Sequence, residues 1–254
     1  RHLDPVGLQY HQGLTLPAIP ASPKVSAMQE WNRGDPSKAP ARAPLARGGK
    51  LDAPRLVAAY RAGIFPWYSA GEPVKWWCPD PRFVMRPADF RLTDSLKKTM
   101  RKKGWSVTFD QKFETVMRRC SEVPRPGQNG TWINDDMIKA YCELHRLGIA
   151  HSVEVNWEGQ LVGGLYGVAL GRLFHGESMF HLKADASKVG FATLVGRLQA
   201  CGFFLIDCQV PTPHLSSLGA FLIDRAEFLE VVKLFRDQPP TGDAFGPIPT
   251  SDAT

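Results

Sequence analysis

Two acids and an amide stand where short strands would carry them. Leu173-Phe174-His175-Gly176-Glu177-Ser178-Met179-Phe180 and Leu205-Ile206-Asp207-Cys208-Gln209 each have the length and apolar content of a strand. Carboxylates are rarely buried unless they are paired or functional. One strand-end acid alone is accounted for by backbone donors. Glu177 and Asp207 together, with Gln209 beside them, read instead as a site. Asp207 and Gln209 stand at i and i+2, so on a regular strand they face the same way.

The segment between these strands has to position them. Phe191, Leu194, Val195 and Leu198 recur at i, i+3, i+4 and i+7, which predicts a helix over Ser187 to Cys201. Gly202 supplies its stop. A strand–helix–strand unit of this kind places its two strands side by side. Upstream, Asp52 caps a helix with Pro54 in its first turn, which ends at Ala62 before Gly63. A helix is expected over Asp94 to Lys103, a strand over Trp105 to Phe109, and a helix capped by Asp110. Another helix is expected over Asn134 to Leu147. His151 to Trp157 alternates and turns at Glu158-Gly159 into Gln160 to Leu170, a hairpin. Gly163, Gly164, Gly167 and Gly171 mark close approach of a ligand or of neighbouring backbone. This order predicts an α+β fold with one main mixed sheet. Residues 1–47, rich in Pro, Ala and Gly, read as an extended arm. Residues 48–81 read as a small N-terminal domain, 82–237 as the main domain and 238–254 as a flexible tail.

Composition excludes several classes. No apolar run approaches the ~18 residues of a membrane span, and no apolar signal-peptide segment is visible at the N-terminus. The five cysteines are odd in number and lack a CxxC pair, against a disulfide framework or a zinc site. A reducing, cytoplasmic setting fits them. The formal charge of +6 is compatible with a polyanionic partner. Lys97, Lys98, Arg101, Lys102 and Lys103 crowd one helix, and Arg118, Arg119 and Arg125 follow; the alternatives are a solvated face and contact with a phosphate backbone. Trp67, Tyr68, Trp76 and Trp77 sit among prolines, either as a small aromatic core or as a surface that stacks a base.

Several stretches then combine: Tyr60-x-x-Gly63-Ile64-Phe65-Pro66-Trp67, Trp76-Trp77-x-Pro79-Asp80-Pro81-Arg82, Gly130-Thr131-Trp132-Ile133, Ala150-His151-Ser152-Val153-Glu154, Leu161-Val162-Gly163-Gly164-Leu165-Tyr166-Gly167, Gly176-Glu177-Ser178-Met179-Phe180 and Leu205-Ile206-Asp207-Cys208-Gln209. In order and spacing they resemble the leucyl/phenylalanyl-tRNA–protein transferase family. Such a co-linear series is far more specific than any single motif. The sequence departs from the family's pattern at Lys50, Cys78 and His181.

The resemblance implies a cytoplasmic aminoacyltransferase that moves Leu or Phe from aminoacyl-tRNA onto proteins beginning with Arg or Lys, marking them for N-end-rule degradation. It implies a small N-terminal domain and a larger domain of the N-acetyltransferase (GNAT-like) fold, without coenzyme A. The turn Lys183-Ala184-Asp185-Ala186-Ser187-Lys188 suits that absence, since it has no glycine to cradle a pyrophosphate and contains an acid. No cofactor or metal is expected, and a monomer is. The reaction is aminolysis of an activated ester. An α-amine with a pKa near ~7.7–8.0 is partly neutral already, so positioning the two substrates supplies much of the acceleration. By the resemblance, Asp207 orients Gln209, whose carbonyl oxygen receives the attacking amine, and Glu177 adds negative potential for a cationic acceptor. Leu165, Phe174, Met179, Leu194, Leu198 and Ile206 match the aminoacyl pocket. Trp67, Trp132 and Tyr60 match the holder of the terminal adenosine, and Lys97, Lys98, Arg101 and Lys102 would meet tRNA phosphates. His151, His175 and His214 read as structural. The rivals are a sister transferase acting on acidic N-termini, an acyl-CoA acetyltransferase and a non-catalytic tRNA-binding protein.

Overall fold

The computed structural model describes residues 2–3, 8–10, 13–14, 30–123 and 131–248, so Arg125 and Gly130 lie outside the described residues. In chain order the strands are β1 (His2–Leu3), β2 (Gln9–Tyr10), β3 (Ala46–Arg47), β4 (Phe65–Pro66), β5 (Lys75–Trp77), β6 (Arg82–Met85), β7 (Trp105–Phe109), β8 (Ala150–Trp157), β9 (Gln160–Leu170), β10 (Leu173–His181), β11 (Leu205–Gln209) and β12 (Phe221–Ile223). The α-helices are α1 (Ala53–Arg61), α2 (Asp94–Met100), α3 (Phe113–Glu122), α4 (Asp135–Arg146), α5 (Ala186–Ala200), α6 (Pro213–Ser217) and α7 (Arg225–Phe235).

Local chemistry accounts for most of these boundaries. The side chain of Asp52 accepts from the Arg55 amide at 3.0 Å and that of Asn134 from the Met137 amide at 3.0 Å, so each caps its helix. Glu158 and Gly159 both take positive φ, the turn geometry that matches the twist of β8 and β9. Helix α5 ends at Cys201 and Gly202. Two boundaries differ from expectation. Helix α2 stops at Met100, so Arg101 is its cap and Lys102 lies in the following turn. Asp110 does not cap α3: it takes positive φ and binds the Ser152 amide and His151, while Glu154 accepts from the Gln111 and Lys112 amides at the start of α3. Glu154 is therefore a buried acid with a structural task.

Among the described residues the main sheet has nine strands in the order β1-β2-β12-β6-β11-β10-β9-β8-β7, and a second sheet has the order β3-β5-β4. The pairs β10–β11 and β12–β2 are parallel and the others in the main sheet antiparallel, which makes it a mixed sheet. Within residues 1–47, expected as an extended arm, His2–Leu3 and Gln9–Tyr10 join this sheet and Ala46–Arg47 the smaller one. Backbone pairing was available at both edges, and no local periodicity announces a two-residue strand.

Both faces of the sheet are covered. Leu194, Val195 and Leu198 of α5 pack on Leu165, Phe174 and Ile206 of the strands. On the other face α1, α3 and α4 pack through Tyr60, Val116, Met117, Tyr141 and Leu144, and α7 packs on Val84, Leu173 and Leu205. The last two alternate with Phe174 and Ile206 along the same strands. The glycines of β9 admit close neighbours: a Cβ on Gly167 would come 2.4 Å from Phe174 Cζ, and one on Gly163 2.7 Å from the Ala186 Cβ.

Candidate active site

The ladder between β10 and β11 pairs Leu173 with Leu205, Phe174 with Ile206 and His175 with Asp207. Just beyond, both strands are irregular. The register of β10 on β9 shifts between Gly176 and Ser178, and that of β11 on β6 shifts between Asp207 and Gln209, where Gln209 takes a φ of +64°. Such bulges re-aim side chains. A side-chain bond spans this stretch, from Gln209 Nε2 to Glu177 Oε1 at 2.6 Å.

Asp207 is 1 % exposed and fully engaged. Arg82, from β6, donates to it twice, from Nε at 2.8 Å and Nη2 at 2.7 Å. His175 Nδ1 donates at 2.9 Å and the Gln209 main-chain amide at 3.0 Å. The Arg82 guanidinium lies between the rings of Phe65 and Phe228, 4.7 and 4.3 Å from their centroids. Burial works against the Asp207 charge, but the charge and hydrogen bonds of Arg82, with the help of His175, outweigh it and hold the carboxyl well below the usual carboxylate range. The expected common face of Asp207 and Gln209 is not realised. The bulge interrupts the alternation, and Asp207 holds the backbone of Gln209 while Glu177 holds its amide. With Nε2 turned to Glu177, the carbonyl oxygen of Gln209 points away from it.

Glu177 has a different environment. Tyr60 Oη lies 2.6 Å from its Oε1, Tyr141 Oη lies 3.2 Å from its Oε2, and the two phenols touch each other. These are three oxygen–oxygen contacts, and two phenol protons can fill only two of them. Tyr60 donates to Oε1 and Tyr141 to Oε2, and Gln209 Nε2 adds a second donor on Oε1. Burial pushes the Glu177 carboxyl up to about 8, against the pull of the hydrogen bonds from Tyr60, Gln209 and Tyr141. Desolvation outweighs these three donors and favours the protonated acid at neutral pH.

The structure brings the expected apolar residues together on the α5 face. Leu165, Phe174, Leu194, Leu198 and Ile206 are buried in one cluster, with Met179 half-buried against it. Tyr60 is completely buried with its hydroxyl on Glu177, so it has no free face for an adenosine. Trp67 and Trp132 are half-buried against the cluster that contains Tyr60 and Tyr141, and Trp67 packs on Trp77 with ring centroids 5.4 Å apart. Lys97, Lys98, Arg101 and Lys102 are exposed, with Lys97 bound to Asp94 at 3.1 Å. Leu96 of α2 packs beside Ala186, Val189 and Ala192, so these cations stand by the N-terminal half of α5. Sequence reasoning gave no role to Arg82 or Tyr141. The signal for Arg82 was indirect: a buried Asp207 needs a counter-charge, and Arg82 lies within a quoted motif.

Residues 84–233 match the model of the leucyl/phenylalanyl-tRNA protein transferase family, and residues 49–80 match the model of that family's N-terminal domain. A leucyl/phenylalanyl-tRNA–protein transferase of Pseudomonas aeruginosa is 57 % identical over 199 residues, 78 % of this chain and 88 % of that protein. One from Azotobacter vinelandii is 55 % identical over the same shares of each chain. Among solved structures, L-PGS from Bacillus licheniformis aligns at a TM-score of 0.41 with 10 % identity, covering 62 % of this chain and 65 % of that one. A GCN5-related N-acetyltransferase from Kribbella flavida aligns at 0.31 with 12 % identity, covering 66 % and 62 %. The fold is α+β, a small N-terminal domain followed by a larger domain whose mixed sheet is built around β10, α5 and β11. With Asp207, Gln209 and Glu177 gathered at the end of that unit, and with matches over both of its parts, the chain belongs to the leucyl/phenylalanyl-tRNA–protein transferase family.

Proposed function

We propose that this aminoacyltransferase moves Leu or Phe from aminoacyl-tRNA onto the N-terminal Arg or Lys of acceptor proteins, with Gln209 aligning the attacking amine. The observation that carries the site assignment is the clamp on Gln209: Asp207 holds its amide backbone at 3.0 Å and Glu177 its side-chain nitrogen at 2.6 Å. Its carbonyl oxygen is thereby presented as a fixed acceptor. The amine donates one N–H to that oxygen and its lone pair attacks the ester carbonyl. The C–N bond forms as the C–O bond to the terminal ribose breaks. The proton lost by the amine leaves through water or the ribose hydroxyl, because a carboxamide is a poor base. Fixed alignment of two reactants is worth about 7–11 kcal/mol in favourable cases.

The donor side chain enters the apolar cluster of Leu165, Phe174, Met179, Leu194, Leu198 and Ile206. Trp67 and Trp132 hold the terminal adenosine. Lys98, Arg101 and Lys102, with Lys97 once it leaves Asp94, meet phosphates of the acceptor stem, which positions tRNA without reading its bases. The cationic acceptor side chain is received at Glu177, whose proton must then leave. The enzyme works in the cytoplasm as a monomer, and the residue it adds marks the acceptor for degradation. Incubation with leucyl-tRNA and peptides starting with Arg, Lys or Asp, followed by mass spectrometry, tests the reading. Addition of Leu to the Arg and Lys peptides is expected, and addition to the Asp peptide alone would replace it by the acidic-acceptor alternative.

A further inference from the structure

The segment after α7, beyond the stretch matched by the family model, is strapped across the far end of α5. The Thr241 amide donates to the Cys201 carbonyl at 2.9 Å. Arg197 of α5 donates to Ala244 O at 2.6 Å, Asp243 O at 3.0 Å and Pro247 O at 3.5 Å. Asp243 Oδ1 accepts from the amides of Phe245 and Gly246, each at 2.9 Å, which closes a tight turn. This turn drives the Phe245 ring into the α5 face of the sheet. There it lies parallel to His151, with centroids 3.7 Å apart, and His151 is itself fixed by Asp110 Oδ2 at 2.7 Å. Phe245 also packs on Phe174, Phe203 and Phe109 at 6.0, 6.2 and 6.5 Å between centroids.

Among the pocket residues, Phe174 is the one whose ring contacts Phe245. Beneath it is Gly167, whose missing side chain is what lets the ring lie against β9 at all. A larger donor side chain that pushes Phe174 therefore pushes it toward Phe245. Interiors are close-packed, so one methylene of space there is felt. We propose that Phe245 is a positioning residue for donor selectivity, acting through Phe174 to set how large an aminoacyl side chain the pocket accepts. This inference rests on the pocket assignment made above.

The test compares kcat/KM for leucyl-tRNA and phenylalanyl-tRNA in the full-length protein, with thermal melting to verify folding. A merely structural Phe245 would lower both values together, whereas a positioning one changes their ratio. Phe245→Ala should raise the phenylalanyl-to-leucyl ratio by about tenfold, the scale of a methylene-sized change in an apolar pocket, and Phe245→Leu should restore part of the original ratio. An unchanged ratio in folded Phe245→Ala overturns the proposal. If Phe245→Ala does not fold, Phe245→Leu is read in the same way: a raised ratio supports the proposal and an unchanged one overturns it. Met179→Trp separates the two levels. If it shifts the ratio while the Phe245 variants do not, only the role of Phe245 falls, and if neither does, the pocket assignment falls with it.

Discussion

Binding of a cationic acceptor is expected to expel a proton from Glu177. Its carboxyl is pushed up to about 8, so at pH 7 only about one site in ten is ionised. Ionising the rest costs about 1.4 kcal/mol, about tenfold in affinity. An incoming guanidinium or ammonium group recovers this by pairing with the carboxylate. Calorimetric titration with an Arg-starting peptide, repeated in buffers of different ionisation heat, counts the protons released. The α-amine of the peptide contributes to that count, so the informative quantity is wild type minus Glu177→Gln. That difference should be about 0.9 of a proton at pH 7 and about 0.1 at pH 9. Equal counts in the two proteins at pH 7 would refute the neutral Glu177. The same group makes a stability prediction of definite sign. Its pKa is raised from 4.5 in the unfolded reference to about 8 in the fold, so the folded state holds a proton that the unfolded chain has lost. Its stabilising contribution is complete below about pH 4.5 and is lost as pH rises toward 8, at about 1.4 kcal/mol per unit. Glu177→Gln should flatten the fall in Tm between pH 5 and 8.

Asp207→Asn should lower stability by about 3–5 kcal/mol, because Arg82 is left as an uncompensated buried charge; urea denaturation showing a loss under about 1 kcal/mol would mean that Arg82 has found another partner. Gln209→Ala should melt near the wild-type temperature yet lower kcat by about 10²-fold, the scale of a misplaced reactant, and wild-type turnover would put the amine elsewhere. Lys98→Ala with Arg101→Ala should weaken charged-tRNA binding and reduce the salt slope by about one unit per lost phosphate contact. Turnover at saturating tRNA should stay near wild type, and identical slopes in the two proteins would return these cations to a solvated helix face.

The sequence by itself determined what depends on neighbours a few residues away. Asp52 and Asn134 cap their helices because a side chain and an amide three residues on meet in any context. Glu158-Gly159 turns a hairpin by its own φ values, and the stripe through Phe191, Leu194, Val195 and Leu198 makes α5 and sets β10 beside β11. Ordered motifs then pointed to the family, and the resemblance singled out Asp207, Gln209 and Glu177 as candidate site residues. What those residues can do was decided only by the tertiary structure. Arg82 stands 125 positions from Asp207 and Tyr60 stands 117 from Glu177, separations at which no periodicity or propensity carries information. Two acids on neighbouring strands look alike in sequence. Asp207 meets a guanidinium and stays charged; Glu177 meets two phenols and an amide in a desolvated place and keeps its proton. The end of the chain follows the same logic. Its prolines and glycines predict a loose tail, yet Arg197 and the ring stack around Phe245 pin Asp243 to Pro247 on the sheet. Composition reports the entropy of a segment, whereas only the assembled fold supplies the partners that overcome it.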